Sequence, residues 1–164
     1  ISKEEVTDPL GKKFWPFYKG RDRSRSPMQW NSSMHAGFSK AKPWLPISGD
    51  YKEVNVENLE NMPNSILNNY RQLLFIRRKF VSLKKGDWVA IIKGDDNILA
   101  YKRIHKKEVL NIFLNFSGKY QTVFLPEGRY RFIYTNQPET VSLMVAKNIV
   151  LQPYQTIILQ SVNE

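Results

Sequence analysis

Apolar residues recur at three- and four-residue spacing between residues 64 and 80. They are Ile66, Leu67, Tyr70, Leu73, Leu74 and Phe80. This spacing places one broad apolar stripe along an α-helix. Pro63 suits the first turn of such a helix, and Arg77, Arg78 and Lys79 suit the negative end of its dipole. The pattern therefore predicts a helix over 64–80 that packs against a core.

The hydrophobic period changes from helical to two after residue 86. Short apolar runs separated by polar turns then predict seven or eight strands. The runs lie at 88–92, 98–104, 109–116, 120–125, 130–134, 141–145, 149–151 and 155–160. A turn cluster at 94–97 joins the first two as a hairpin. Such a series of short strands is typical of an antiparallel β-sandwich.

Residues 8–62 show no sustained periodicity and are rich in proline. This long loop carries Trp15, Trp30 and Trp44, which need a surface to pack against. Loops of more than about 15 residues are uncommon unless they are functional. One helix and one loop cannot close a hydrophobic core, whereas about 80 residues of sandwich are marginally stable alone. We therefore predict two domains, 1–83 and 84–164, of which the first is incomplete.

The composition is that of an ordinary globular protein, with 41% hydrophobic and 24% charged residues among 164. No apolar run approaches the ~18 residues that a membrane span requires, so we expect no membrane insertion. The chain has no cysteine. Disulfides and thiolate metal sites are therefore excluded, and the composition is consistent with a reducing, cytoplasmic location.

The net charge of +10 raises the question of nucleic-acid binding. The excess of basic residues is spread along the chain, whereas nucleic-acid binders more often concentrate it on one face. Residues 12–25, which interleave six basic side chains with four aromatic ones, come closest to such a site. We therefore expect no nucleic-acid partner and keep nucleic-acid binding as a minor alternative.

The stretch from Gly20 to Trp30, GRDRSRSPMQW, has the most distinctive chemistry. Arg21, Arg23 and Arg25 alternate beside Asp22. An arginine fork grips carboxylates or vicinal hydroxyls and stays charged at any working pH. An aromatic ring beside such groups suits a sugar. A solvated basic loop anchored by its tryptophan is the alternative interpretation of the same residues.

This stretch resembles the Gly-Arg-Asp…Arg-Thr-Pro-Met-Gln-Trp signature of bacterial α-glucosidases of the oligo-1,6-glucosidase type, in the α-amylase superfamily (glycoside hydrolase family 13). Ordered matches flank it at 8–11, 14–19, 36–39, 42–46 and 55–56. The chain departs from the family at Ser26, where Thr is usual, and at Arg23, where a small residue is common. Arg23 adds charge beside the site and so bears on substrate preference.

The resemblance implies a fold and a function. The fold class expected is an α+β fragment, in which the last loop and helix of a (β/α)8 barrel precede an all-β antiparallel sandwich. The complete protein would hydrolyse α-1,4 or α-1,6 glucosidic bonds of short oligosaccharides with retention. Arg25 would bind the non-reducing glucose, with Arg21, Asp22 and Trp30 as further substrate-binding residues. From the residues themselves, Arg21 and Asp22 are expected to pair locally, and Trp30 is either a loop anchor or a sugar platform.

The family's catalytic acids have no counterpart in this chain. Retaining glycosidases use two carboxylates about 5 Å apart, and in the family these lie upstream of the signature. His35 and His105 lack an acidic neighbour and are expected to be surface or turn residues. We find no phosphate loop and no cluster with metal spacing, and so predict no cofactor and no metal. The chain alone should be inactive, with the rest of the barrel as its partner.

Two further interpretations remain open. Trehalose synthase and sucrose isomerase, in the same superfamily, carry similar stretches, so isomerisation or transglycosylation is an alternative to hydrolysis. The sandwich is also a candidate for a non-catalytic module that binds carbohydrate or contacts another subunit.

Overall fold

The computed structural model of the chain describes residues 2–92, 96–137, 143–145 and 147–162. The chain divides into two compact units, Ile1–Asn69 and Tyr70–Glu164. The division falls inside the predicted helix, ahead of the domain boundary expected at 83/84. The second half of that helix therefore shares a compact unit with the strands, while the domain boundary itself stays a prediction.

The first unit is largely irregular, as its sequence predicts. Its short helices within the described residues are α1, Pro9–Lys13, and α2, Val56–Glu60, and 3-10 turns cover Asp22–Arg25 and Met34–Gly37. A side chain caps the N-terminus of each helix. Its oxygen accepts a hydrogen bond from an amide group of the first turn that has no partner within the helix. Asp8 caps α1 and Asn55 caps α2. The buried apolar residues of this unit include Val6, Ala36 and Leu45.

The predicted helix is confirmed as α3, Ile66–Lys79. A further short helix, α4, Val81–Lys85, follows it and was not predicted. Ile76 is buried, but three members of the stripe, Ile66, Tyr70 and Leu74, are 85%, 63% and 46% exposed. The apolar stripe forms as expected, yet most of it stays open to solvent in this chain.

All eight predicted strands form. They are β1 Asp87–Ala90, β2 Ile98–His105, β3 Glu108–Asn115, β4 Gln121–Phe124, β5 Arg129–Thr135, β6 Leu143–Val145, β7 Asn148–Leu151 and β8 Thr156–Val162. Residues 94–95 of the turn cluster and residues 141–142 of the sixth run lie outside the described residues. The antiparallel pairing of β1 with β2 confirms the predicted hairpin.

The strands form two unequal sheets. One has six strands in the order β1-β2-β3-β8-β5-β6, and the other pairs β4 with β7. Every pairing is antiparallel. The predicted sandwich is therefore confirmed, although most of its strands belong to one sheet.

The central strands of the large sheet, β3 and β8, have buried residues at successive positions. Neighbouring residues of a strand point to opposite sides, so these two strands are buried on both faces. Phe113 and Leu159 face the small sheet and pack with Val123, which is fully buried. Leu110 and Ile158 face the other way and pack with Ile76 and Phe80, at the end of α3; the full second cluster also contains Ile112 and Tyr134. The end of α3 is thus a third layer of the sandwich unit.

We predict that Leu159→Ala lowers the free energy of unfolding by about 2–5 kcal/mol, because it leaves a cavity between the sheets. Leu159 is fully buried, whereas Leu99 is 40% exposed. Leu99→Ala is therefore the matched control and should cost far less. Urea unfolding of both variants, in the protein at its full natural length, measures the difference. Equal losses would contradict the assignment of Leu159 to the core.

Candidate functional site

The signature stretch folds as a 3-10 turn at Asp22–Arg25. The Ser24 hydroxyl donates to the Arg21 carbonyl at 2.7 Å, and the Ser26 hydroxyl donates to the Arg23 carbonyl at 3.2 Å. These local bonds hold the turn closed. The side chains of Arg21, Arg23 and Arg25 are all exposed, so the turn presents cationic groups to solvent.

Asp22 points in the opposite direction, into the first unit, where it is 2% exposed. Its Oδ2 accepts the Thr7 amide at 2.6 Å and the Asp8 amide at 3.0 Å. Its Oδ1 accepts the Thr7 hydroxyl at 3.0 Å. A carboxylate is tolerated in such a place because these donors replace its lost water. Asp22 therefore ties the turn to a segment 14 or 15 residues earlier in the chain.

Asp8 is the second buried carboxylate of this region. Its Oδ1 accepts the amides of Leu10 and Gly11 at 2.9 and 3.1 Å, and its Oδ2 accepts the Arg21 amide at 3.3 Å. The Arg21 guanidinium lies 3.8 Å from the same oxygen. The expectation that Arg21 pairs with Asp22 is therefore wrong, because Asp22 faces inward onto amide donors and leaves Arg21 to Asp8.

The surroundings of both carboxyl groups favour their ionised forms. The Gly11 amide is the main cause that lowers the pKa of Asp8, ahead of the opposing effect of burial. For Asp22, burial is the largest single influence and raises the pKa. The hydrogen bonds from Asp8 and Thr7 together outweigh it, so the pKa of Asp22 still lies below its ordinary value. Both groups are therefore charged at neutral pH.

Trp30 is fixed through its backbone. Its amide donates to the Ala36 carbonyl at 2.8 Å, and its carbonyl accepts the Glu57 amide at 3.0 Å. The preceding residue is held too, since the Gln29 side-chain amide donates to the Val54 carbonyl at 2.8 Å. The Trp30 side chain is 50% exposed. This position combines a fixed backbone with an accessible ring.

Ala36, whose carbonyl accepts the Trp30 amide, lies in a left-handed turn. His35, Ala36 and Gly37 have φ values of 55°, 57° and 66°. This region costs an L-residue roughly 1–2 kcal/mol, and such strain persists only where neighbouring contacts impose it. Ala36 is fully buried, and its carbonyl accepts the amides of both Trp30 and Asn31. The turn thus supports the end of the signature stretch.

A surface pocket of about 510 Å³ opens beside the signature stretch. Its lining consists of Glu5, Asp22, Arg23, Ser26, Pro46, Ile47, Ser48 and Gly49. A second pocket, of about 490 Å³, shares Glu5, Pro46 and Ile47 and adds Trp44, His35 and Lys42. Of the four predicted substrate-binding residues, Asp22 lines the first pocket; among the described residues, neither lining includes Arg21, Arg25 or Trp30. The four predicted residues are therefore not gathered in one pocket of this chain.

The basic and aromatic stretch at 12–25 makes contacts within itself. The Lys13 ammonium lies 5.4 Å from the centre of the Phe14 ring, and that of Lys19 lies 5.6 Å from the centre of the Trp15 ring. Both distances allow a cation–π attraction. Two of the aromatic rings that a nucleic-acid base would stack on are thus engaged by neighbouring lysines.

The described ranges contain neither a metal-binding cluster nor a membrane-spanning helix. No three or more His, Cys, Asp or Glu residues there are grouped as a metal site. Nor does any helix of that part of the chain have the length and apolar character needed to cross a membrane.

Comparison with known proteins decides the family. The family described as "Alpha amylase, catalytic domain" matches residues 1–86, more than half of the chain. The chain belongs to the α-amylase family. A second match, "Alpha-amylase SusG C-terminal domain", covers residues 98–158. The expected fold class is thereby confirmed, since the end of the α-amylase barrel is followed by a C-terminal β-sandwich.

Individual relatives also match the chain over most of its length. The chain is 34% identical over 146 residues to trehalose-6-phosphate hydrolase of Bacillus subtilis (strain 168), spanning 85% of this chain and 26% of that protein. It is 40% identical over 101 residues to oligo-1,6-glucosidase of Halalkalibacterium halodurans, spanning 62% of this chain and 18% of that protein. The chain thus spans about a quarter or less of these curated relatives.

A solved structure also superposes on the chain. It is a variant of isomaltulose synthase from Erwinia rhapontici NX5 in complex with D-glucose, with a TM-score of 0.77 and 32% identity. The match covers 88% of this chain and 26% of that structure. The predicted resemblance to glycoside hydrolase family 13 is therefore confirmed.

Sequence reasoning missed the part that Asp8 plays in this α-amylase segment. The available signal was Asp8 followed by Pro9, because Asp is favoured at an N-cap and Pro at the first helical position. That signal identifies the cap of α1. It does not reveal that the second oxygen of the same carboxylate meets Arg21, which lies 13 residues further along the chain.

We predict that Asp22→Asn flattens the acid side of the stability profile. The folded-state pKa of Asp22 is lowered, so its contribution is complete above the ordinary Asp pKa of about 3.9 and is lost as pH falls through the lower folded value. The variant lacks this contribution and should unfold at a lower temperature near neutral pH. Thermal unfolding between about pH 7 and pH 3 measures it.

Asp96→Asn, at an exposed position, is the control for this series and should follow the wild-type profile. A profile for Asp22→Asn that runs parallel to the wild type would show that the buried carboxylate is not what stabilises the turn.

Proposed function

We propose that this chain is the C-terminal part of an α-glucosidase that hydrolyses α-1,4 or α-1,6 bonds of short oligosaccharides with retention. The observation that carries the proposal is the turn at Asp22–Arg25, anchored inward by Asp22 and exposing Arg25 outward. A guanidinium on a fixed backbone can bind sugar hydroxyls or a carboxylate with little loss of freedom. The relatives named oligo-1,6-glucosidase support the same choice.

In this proposal Arg25 binds the terminal glucose of the substrate. Trp30 offers an exposed ring face to a sugar, while Asp22 and Arg21 act mainly by holding the turn through Thr7 and Asp8. The first pocket, which lies beside the turn, provides room for a further sugar unit. Arg23 lines the first pocket and adds a positive charge there. This charge would distinguish a phosphorylated sugar from a neutral one.

The catalytic acids are proposed to come from the remainder of the protein. Asp8 and Asp22 lie close together, but both are buried and hold hydrogen bonds from backbone amides. A nucleophile or general acid has to reach the glycosidic bond, and these two carboxylates face amide groups instead. The chain by itself is therefore proposed to be inactive.

We also propose that the complete protein is cytoplasmic, because the chain has no cysteine. Cell fractionation would test this location.

The exposed apolar surface of α3, which includes residues of the stripe and Phe75 beside them, supports a barrel partner. Tyr70, Leu74 and Phe75 are 63%, 46% and 67% exposed. Large apolar surfaces of this kind mark contacts with another protein segment. We propose that the remaining helices and strands of the catalytic barrel cover it.

Hydroxyl-radical footprinting of the protein at its full natural length would test this cover. Phe124 is 74% exposed in the sandwich and is the matched reference for Phe75. We expect Phe75 to be oxidised several-fold more slowly than Phe124. Similar rates for the two rings would rule out a barrel contact at this face.

Substitution of Arg25 tests the proposed function. We expect Arg25→Ala to lower kcat/KM for maltose or isomaltose by a factor of about 30 to several thousand, because it removes a charge-assisted contact worth about 2–5 kcal/mol. Arg25→Lys keeps the charge but loses the planar fork, so its loss should be of similar kind and smaller.

Arg131→Ala, at an exposed arginine of β5, is the control and should leave kcat/KM unchanged. Glucose release is the measurement. A wild-type protein of full natural length that releases no glucose from either sugar would overturn the proposal. The isomaltulose synthase match makes isomerisation of sucrose the alternative function, which a product profile with sucrose would reveal.

A further inference from the structure

Two exposed tyrosines stand at one end of the sandwich unit. Tyr120 is 68% exposed and Tyr154 is 64% exposed. Tyr120 directly precedes β4, and Tyr154 lies in the turn between β7 and β8. Both rings are therefore accessible to a binding partner.

The turns that carry these rings are joined by a buried side chain. Asn115 is 3% exposed. Its amide group donates to the carbonyl of Lys119 at 2.7 Å and to that of Gln152 at 2.8 Å. Its Oδ1 accepts the Ser117 amide at 2.9 Å and the Ser117 hydroxyl at 2.8 Å. One residue thus holds the turn before Tyr120 and the turn before Tyr154 together.

Tyr154 is fixed further by its own backbone. Its amide donates to the Ser117 carbonyl at 3.2 Å, and its carbonyl accepts the side-chain amide of Asn136 at 3.0 Å. Its φ is 57°, in the region that disfavours L side chains. The ring tip lies over Gly118, where an added Cβ would stand 3.3 Å from the tyrosine hydroxyl. The backbone of Tyr154 is therefore strained, although its ring remains exposed.

The two chain segments that carry the rings are almost free of charge. Residues 116–124 and 148–154 contain a single charged side chain, that of Lys119, in a chain with 24% charged residues. The outer face of the small sheet continues the surface with Thr122, Phe124, Asn148 and Val150, which are all exposed. Aromatic rings therefore alternate with hydroxyl and amide groups, and one cation offers little to a phosphate backbone.

We propose that this end of the sandwich, formed by Tyr120, Tyr154 and the Ser117–Lys119 turn, is a binding platform for a neutral α-glucan chain. A pyranose ring presents C–H bonds on its face and hydroxyls at its rim, which match a tyrosine face beside the exposed hydroxyl of Thr122. Pre-formed turns reduce the entropy lost on binding. The platform is additional to the proposed catalytic site; only the choice of an α-glucan over other neutral sugars rests on the proposed function.

Affinity electrophoresis of the protein at its full natural length, in gels containing amylopectin, tests the platform. We expect Tyr120→Ala combined with Tyr154→Ala to weaken retention about tenfold, and Tyr120→Ala alone to weaken it less. The Tyr→Phe variants keep the rings and should keep most of the retention. Hydrolysis of p-nitrophenyl α-glucoside, measured alongside, should be unchanged in every variant.

The outcomes separate the platform from the proposed function. Wild-type activity with no retention, or retention that the double variant keeps, would overturn the platform alone. Absence of activity with ring-dependent retention would overturn the glucosidase proposal and support the platform. A wild-type dimer that the double variant abolishes, with no effect on retention, would show that the rings contact a second copy of the chain instead.

Discussion

The signature region depends on a carboxylate that is buried among backbone amides. Ionised Asp22 would be unfavourable away from water without compensation, and Thr7 and Asp8 supply that compensation with three hydrogen bonds. Asp8 repeats the arrangement by capping α1 and meeting Arg21. The two acids therefore bind the loop from inside, which leaves Arg23 and Arg25 on the outside with their charges available to a ligand.

The sandwich unit is organised by a different constraint, the burial of both faces of the central strands of its large sheet. Strands β3 and β8 carry apolar residues at successive positions, so each face needs its own cover. The small sheet covers one face, and Ile76 with Phe80 covers the other. The contact with the sheet covers only part of the apolar surface of α3. The side of α3 that bears Tyr70 and Leu74 is consequently available to a second neighbour.

These two constraints divide the work that we propose for the chain. The loop of the first unit lends a cationic, aromatic rim to a sugar site whose acids reside elsewhere in the protein. The sandwich secures the end of the last barrel helix, and its far turns hold two tyrosines in place through Asn115. In both places a buried polar side chain positions an exposed group. Buried polar side chains that hold exposed groups in place are more readily explained by binding than by stability alone.

The helix over 66–79 and all eight strands were predictable from the sequence, because hydrophobic periodicity reports local backbone geometry and the family signature preserves residue order. The same reasoning could not divide the strands between two unequal sheets, nor show that Asp22 meets Thr7 and Asp8 rather than Arg21. It also could not foresee that most of the α3 stripe stays exposed. Each of these depends on which distant segments meet in space. Periodicity identifies the face of an element that seeks cover, but tertiary structure decides what covers it, because burial and hydrogen-bond partners come from residues far apart in the chain.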